Sequence, residues 1–283
     1  MATADDRSRT PSHLHRLVRT ADLEIIPLRG VEEQLADVPR STGLTITCSP
    51  RWGIDRTLEY TEVATAAGFA VVPHLAARQI VDEPDLRRIV RRLDALGVRG
   101  IFVIGGDAPQ VAGRYSSAGE LLDELAGIDH PFGSIGVACY PEGHPSVADD
   151  RLADALRRKQ RHAAYMVSQL CFDASTITRW LEGVRRAEIT LPLRAGVAGP
   201  LDTAALTELS VRIGVGPSLR YLRKQHGMVS TLLGTLVRRD AHRPEALVAG
   251  LAARAEELGI ERIHLNSFNR VAATVAWQRR LLA

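Results

Sequence analysis

The sequence predicts an α/β fold in which eight parallel strands alternate with helices, and three features of its 283 residues point there. The stretch Gly100-Ile-Phe-Val-Ile-Gly-Gly-Asp107 is an apolar run without alternation, as in a strand buried on both faces, and it ends on two glycines and a carboxylate. Short runs of the same kind recur between helical patterns until eight can be counted. The length is close to the ~250 residues of a (β/α)8 TIM barrel. No linker rich in Gly, Pro or Ser divides the chain. The expectation is therefore one barrel domain over residues 21–283, behind a flexible N-terminal arm over residues 1–20.

The elements follow in order. Leu23-Glu24-Ile25-Ile26-Pro27 reads as a first strand stopped by proline, and Leu44 to Thr47 as the second. A helix capped by Asp55 runs to about Ala67 and closes at Gly68. Phe69 to Val72 is the third strand, with Pro73-His74 at its end. A helix from Pro84 to Leu96, capped by Asp82 and stopped by Gly97, leads into strand four, Gly100 to Ile104. After a loose segment from Ala108 to Ala118 comes a helix ending near Gly127. Strand five is Ile135 to Cys139, and Tyr140 to Pro145 forms a rigid polar loop. Helix five spans about Val147 to Arg161, and strand six is Tyr165 to Leu170. A helix capped by Asp173 or Ser175 reaches Arg186, and strand seven is Ile189 to Leu193, ending at Arg194. Helical periodicity resumes at Asp202, and the region from Ala198 to Gly259 exceeds one helix, so extra helices are expected between strands seven and eight. A helix from Pro244 to Gly259, strand eight at Ile263 to Leu265 and a closing helix from Val271 to Leu282 complete the count.

Composition narrows the function. The net charge of +3 comes from arginines interleaved with acids, as in a solvated helix face, and aromatic residues make up 5%, which leaves little for stacking on bases. Nucleic acid is not an expected partner. Cys48, Cys139 and Cys171 are odd in number and have no Cys-x-x-Cys spacing, so neither a disulfide framework nor a zinc site is signalled. No apolar run approaches the length of a membrane span and the N-terminus has no apolar leader, so a cytoplasmic protein without membrane contact is expected.

A barrel gathers strand-end residues at one mouth, here Glu24, Thr47, His74, Asp107, Tyr140, Gln169 and Arg194. Each also has a structural explanation: Glu24 on an exposed edge, Asp107 capping the next helix, His74 satisfied in a loop. Two carboxylates facing one cavity can have their pKa values driven apart, which lets one donate a proton while the other stays charged. Glu142 and His144, two apart on a proline-rich loop, are weak metal spacing, and no metal is expected. Glycine-rich phosphate loops and the Gly-x-Ser-x-Gly elbow are absent, and Gly214-Val215-Gly216-Pro217-Ser218 is at best a lone turn.

The segment Leu-Glu-Ile-Ile-Pro at 23 to 27 resembles the Phe-Glu-Phe-Phe-Pro-Pro that opens methylenetetrahydrofolate reductases. The likeness continues in register through Pro73-His74-Leu75, Gly106-Asp107, Ile135 to Pro145, Arg158-Lys159, Gln169, Cys171-Phe172-Asp173 and Asn269-Arg270. It implies a barrel enzyme of one-carbon and methionine metabolism that reduces 5,10-methylenetetrahydrofolate to 5-methyltetrahydrofolate. Glu24 would be the general acid that opens the substrate's five-membered ring, held protonated by apolar neighbours. Asp107 would stabilise the 5-iminium cation and contact substrate, and Gln169 would hydrogen-bond the pterin, with Thr47 beside them. His74, Gly106, Tyr140 and Lys159 would bind cofactor. The chain departs from the family at Gly105, where an arginine is usual, and at Leu152-Ala153-Asp154-Ala155, which lack the polar groups that hold a flavin's adenosine side. After Lys159 the family's Lys-x-x-x-Gly-Ala pattern is also replaced. The folate half of the site is thus expected to be kept and the FAD half eroded, with hydride coming from NADH or NADPH directly, or from a reduced deazaflavin. The other readings are a barrel that only binds folate or a methyltransferase partner, and a lyase for phosphorylated substrates.

Overall fold

The computed structural model describes residues 4–200 and 244–283, with side chains of the first helix from residue 12 onward. The extra helices expected between strands seven and eight, and the Gly214 to Ser218 turn, lie outside the described residues. Eight parallel strands close into a barrel in sequence order: β1 Asp22–Ile25, β2 Leu44–Ile46, β3 Val71–Ala76, β4 Gly100–Ile104, β5 Ser134–Cys139, β6 Tyr165–Ser168, β7 Leu193–Ala198 and β8 Ile260–Asn266. The seam joins β1 to β8 with Leu23 opposite Leu265 and Glu24 opposite Asn266.

The helices of the outer ring are α3 Gly53–Ala66, α4 Glu83–Ala95, α5 Ala118–Leu125, α6 Asp149–Lys159, α7 Ala174–Arg186, α8 Glu245–Ala252 and α10 Val271–Leu282, after the N-terminal α1 Ala4–Arg19 and the short α2 Val31–Gln34, with the single turn α9 Ala255–Leu258 before β8. Leu86, Ile89, Val90 and Leu93 of α4, spaced three and four apart, are buried against the strands. The outward residues Leu23, Ile25, Leu44, Ile46, Ile101, Val103, Val137 and Met166 belong to the same core. Asp82 caps α4 by accepting from the Asp85 amide, and Asp173 caps α7 by accepting from that of Ser175. The α3 cap differs from expectation: the helix starts at Gly53, and Asp55 sits in its first turn, where a carboxylate favours the helix dipole without capping.

The N-terminal segment also departs from expectation. Residues read as an arm form α1, because Leu14, Leu17, Val18 and Ala21 recur at helical spacing; Leu17 and Val18 are fully buried. Arg16 fastens the helix to the barrel by donating to the backbone carbonyls of Glu261 and Ile260.

Three strands run past their expected ends. β3 continues through Pro73 and His74 to Ala76, and β8 extends from Ile260 to Asn266. β7 begins at Leu193, so Arg194 lies at the amino end of its strand and not at the mouth. His74 and Arg194, polar residues that looked like strand ends, lie in the barrel interior, where His74 faces Glu24 and Arg194 pairs with Asp22 and Glu261.

The interior is layered. At the amino-terminal end, Arg194 donates to Asp22 at 3.0 Å and to Glu261 at 3.3 Å, and Arg262 donates to Asp22 at 3.2 Å. Arg194 also lies 3.4 Å from the centroid of the Tyr165 ring. That ring fits only because residue 136 is glycine; a Cβ there would come within 2.5 Å of it. Above this floor Phe102, Val167 and Tyr165 pack with Val72, Ile104 and Ala138. The polar residues at the carboxyl end rest on that apolar plug.

Candidate active site

Glu24 points into the barrel between two imidazoles. Its Oε2 lies 2.9 Å from Nε2 of His264 on β8 and 3.6 Å from Nε2 of His74 on β3. Both histidines are buried, and His74 meets the edge of Phe102 with ring centroids 4.7 Å apart. The strand that carries Glu24 is held in place from the β8 loop. The Ser267 hydroxyl donates to the Glu24 carbonyl at 2.6 Å, and the Asn269 amide both accepts from the Ile26 N–H at 2.8 Å and donates to the Ile26 carbonyl at 2.9 Å. Phe268 and Asn269 adopt left-handed backbone, with φ of 49° and 58°, to make that turn.

The charge state of Glu24 is the reverse of the sequence expectation. Burial raises the pKa of its carboxyl, but the hydrogen bond and positive field of His264, with a smaller contribution from His74, outweigh burial and hold it below the ordinary value. Apolar neighbours in sequence face the helices; the neighbours that count come from β3 and β8. His74 is pushed down to about 4, by burial first and then by His264, against the pull of Glu24. It is therefore a neutral imidazole at neutral pH, and its Nε2 has no hydrogen-bond partner.

The facing atoms of Glu24, His74 and His264 lie within 4.8 Å of one another and, among the described residues, form the one such set that could surround a cation. Two ligand atoms each ~2.0 to 2.1 Å from a tetrahedral ion stand about 3.3 Å apart. Glu24 and His264 are closer than that, at hydrogen-bonding distance. Glu142 and His144 do not join any such set, and His144 instead stacks edge-on against Tyr140.

Beside this group a cleft of about 1090 Å³ opens along the carboxyl ends of β4, β5 and β6. Gly106, Asp107, Tyr140, Lys159 and Gln169 all line it, while Glu24, Thr47 and His74 do not. The two regions meet across Phe102, which touches His74 and packs with the cleft residues Ile104 and Ala138. Gly106 is needed where the loop turns: its φ is +86°, and a Cβ would come within 2.9 Å of the Ala76 Cβ. Asp107 is exposed in the cleft and does not cap α5; Ser117 does, in a capping box with Glu120. Burial pushes the Tyr140 phenol up to about 12, and the Asp107 charge adds to it. Burial brings the Lys159 ammonium down to about 8, and the group donates to the Ala138 carbonyl at 2.7 Å.

Gln169 keeps a buried Oε1 with no partner, as does Thr47 with its hydroxyl. A buried acceptor left bare costs about 1 to 3 kcal/mol, so the Gln169 carbonyl is poised for a donor on a ligand. His264 and Asn269 are the positions at which sequence reading gave least. Ile263-His264-Leu265 repeats the apolar-polar-apolar form of Leu23-Glu24-Ile25 and could have revealed an inward histidine by that signal. Nothing local shows that the two meet.

A family model described as methylenetetrahydrofolate reductase matches residues 38–209. The Caenorhabditis elegans protein named "Probable methylenetetrahydrofolate reductase (NADPH)" is 27% identical over 197 residues, 62% of this chain and 29% of that protein. "Methylenetetrahydrofolate reductase 2" of Saccharomyces cerevisiae is 28% identical over 120 residues, 38% of this chain and 20% of that one. The chain thus spans under a third of either relative. Among solved structures, a 2,3-dimethylmalate lyase of the PEP mutase/isocitrate lyase superfamily aligns with a TM-score of 0.49 at 10% identity, over 99% of this chain and 86% of that one, a likeness too slight to inform the chemistry.

Proposed function

Because the chain belongs to the methylenetetrahydrofolate reductase family, we propose that it reduces 5,10-methylenetetrahydrofolate to 5-methyltetrahydrofolate with hydride from NADH or NADPH. The observation that carries this reading is a partly buried carboxyl, Glu24, paired with an imidazole at the carboxyl end of a closed parallel barrel. That is where such folds do their chemistry. Opening the substrate's five-membered ring requires a proton on N10 as the bond from N10 to the methylene carbon breaks, leaving an iminium cation at N5. Glu24 delivers that proton. To Asp107, exposed in the adjoining cleft, we assign the stabilisation of the cation, and to the bare Oε1 of Gln169 the acceptance of a hydrogen bond from the pterin. Thr47 offers its unpartnered hydroxyl beside Glu24's strand. Hydride then adds to the methylene carbon, which becomes the methyl group.

The cleft is larger than the ~300 to 1,000 Å³ of ordinary small-molecule sites and has room for a dinucleotide. Gly106 lets backbone approach it, while Tyr140 and Lys159 supply a phenol and a buried cation; His74 reaches it only through Phe102. The wall offers a resident flavin no side-chain donor at Gly105, Leu152 or Ala155, although Arg78, Arg158 and His162 also line the cleft. We therefore favour direct transfer from a nicotinamide that binds, reacts and leaves. That route needs donor and acceptor carbons ~3 to 3.5 Å apart. Purified protein is to be mixed anaerobically with methylenetetrahydrofolate and NADH or NADPH while nicotinamide absorbance and 5-methyl product are followed. Stoichiometric oxidation by a colourless preparation is expected; binding of folate without oxidation of either nucleotide would remove the enzyme reading and leave a folate-binding barrel.

A further inference from the structure

The reductase reading asks Asp107 to hold a charge at one place, yet nothing bonds to that side chain directly. Asp107 is exposed in the cleft, and its carboxylate makes no hydrogen bond or ion pair among the described residues. It belongs to residues 105–117, which form neither helix nor strand between β4 and α5. Two glycines precede it, one of them at a φ of +86°. Backbone of that freedom spreads the side chain it carries over many positions unless something outside the loop fixes it.

The fixing group is Arg78, in the single turn Ala77–Gln79 that follows β3. Its main chain meets the loop twice: the N–H donates to the Gly105 carbonyl at 3.0 Å, and the carbonyl accepts from the Ala112 N–H at 2.9 Å. Its guanidinium meets the loop twice more, Nε donating to the Ala108 carbonyl at 2.7 Å and Nη2 to the Pro109 carbonyl at 3.1 Å. Among the described residues no other side chain hydrogen-bonds to 105–113. Farther along, the Arg114 N–H donates to the Val81 carbonyl at 2.8 Å, and Gly113 lies so close to Val81 that a Cβ there would overlap its carbonyl.

Resting on the reductase reading, we propose that Arg78 is a positioning residue for that reaction: its guanidinium clamps the two carbonyls that follow Asp107 and so keeps the carboxylate aimed at the forming iminium. The main-chain bonds at 105 and 112 are open to any residue at position 78. The pair at 108 and 109 depends on the side chain, and it lies next to Asp107 in the chain. Arginine suits the task because its planar fork reaches two neighbouring carbonyls at once through charge-assisted bonds, and because it stays charged at every pH the enzyme meets. The residue itself lines the cleft, so the clamp is part of the wall that the ligand meets. No bond of the reaction passes through Arg78; it acts through Asp107.

The test is a cycle of kcat/KM measurements on wild type, Arg78→Met, Asp107→Asn and the double variant, with circular dichroism to confirm folding. Methionine keeps much of the apolar stem and cannot donate. Arg78→Met should be ~10 to 10²-fold slower, the loss that follows when a reacting group is displaced by about 1 Å. Once Asp107 is neutral its aim no longer matters, so the double variant should run at close to the rate of Asp107→Asn alone. Arg78→Lys, which serves one carbonyl at a time, should recover part of the loss. Hydrogen exchange read by mass spectrometry should be faster over 105–112 in Arg78→Met and unchanged in the helices. A double variant in which the two losses multiply would overturn the proposal, as would exchange over 105–112 that matches wild type. If Arg78→Met fails to fold, Arg78→Lys takes its place in the cycle and the same two outcomes decide. Absence of reductase activity in wild type would instead sink the reductase reading, while the exchange measurement would still decide whether the guanidinium holds the loop.

Discussion

Glu24 and His74 make opposite demands on one small buried space, and their titrations should be visible in stability as well as in rate. Glu24→Gln keeps the shape and removes the acid. We expect it to lower kcat by ~10² to 10⁴-fold and to lower the unfolding midpoint only modestly, since the charge pair with His264 goes while the shape stays, measured by turnover and urea denaturation on the same preparation. His74 has a folded-state pKa of about 4 against an ordinary 6.5. A base with a depressed pKa binds fewer protons folded than unfolded, so its contribution is complete above pH ~6.5 and is lost as pH falls toward 4. Glu24 adds loss in the same direction, because its folded pKa is also lowered and its protonation removes the pair with His264. Stability should therefore fall by about 3 kcal/mol between pH 6.5 and 4, and His74→Gln should flatten most of that slope. An equally steep slope in the variant would show that the acid sensitivity lies elsewhere. At residue 106 a side chain is excluded twice, by positive φ and by the Ala76 methyl, so Gly106→Ala should cost roughly 1 to 3 kcal/mol and weaken nucleotide binding, as read by urea titration and nucleotide-quenched fluorescence.

At the scale of the element, the turn after β8 aligns the strand that carries Glu24. Asn269 brackets the Ile26 peptide with two hydrogen bonds, and Ser267 holds the Glu24 carbonyl. Asn269→Ala leaves two backbone groups partly unmet. It should cost about 1 to 3 kcal/mol and reduce kcat more than it raises KM, since it disturbs the aim of Glu24 and not the cleft. An unchanged kcat with a raised KM would contradict that assignment. Strands were readable as apolar runs, and the caps Asp82 and Asp173 as local chemistry. Strand ends were not. Pro73-His74 looked like a stop because the groups that His74 faces inside the barrel, Glu24 of β1 and His264 of β8, are remote in sequence. Arg194 looked like a mouth residue for the same reason, its partners Asp22 and Glu261 lying far along the chain.

For the whole molecule, the two ends of the barrel divide the work. The amino end is closed by the Asp22, Arg194, Arg262 and Glu261 network over Tyr165, and the carboxyl end holds Glu24 and the cleft, with an apolar plug between them. Arg194→Met removes one partner of the buried Asp22 and should cost roughly 3 kcal/mol while leaving KM for substrate unchanged, as measured by urea denaturation and steady-state kinetics. Among the described residues no helix is long and apolar enough to cross a membrane. Cys48, Cys139 and Cys171 are buried and unpaired, in keeping with their spacing.

Strand count, barrel class and family were legible from local patterns alone, because a doubly buried strand must be a continuous apolar run and motifs such as Tyr140 to Pro145 are contiguous. Asp107, Gln169 and Lys159 line one cleft because chain order puts the first two just past the carboxyl ends of β4 and β6 and the third at the end of α6. The charge on Glu24 was another matter. It depends on His264, 240 residues away, and barrel closure brings the two within 2.9 Å. A carboxyl takes its pKa from the dipoles and charges it touches in space, and chain neighbours on a strand point the other way.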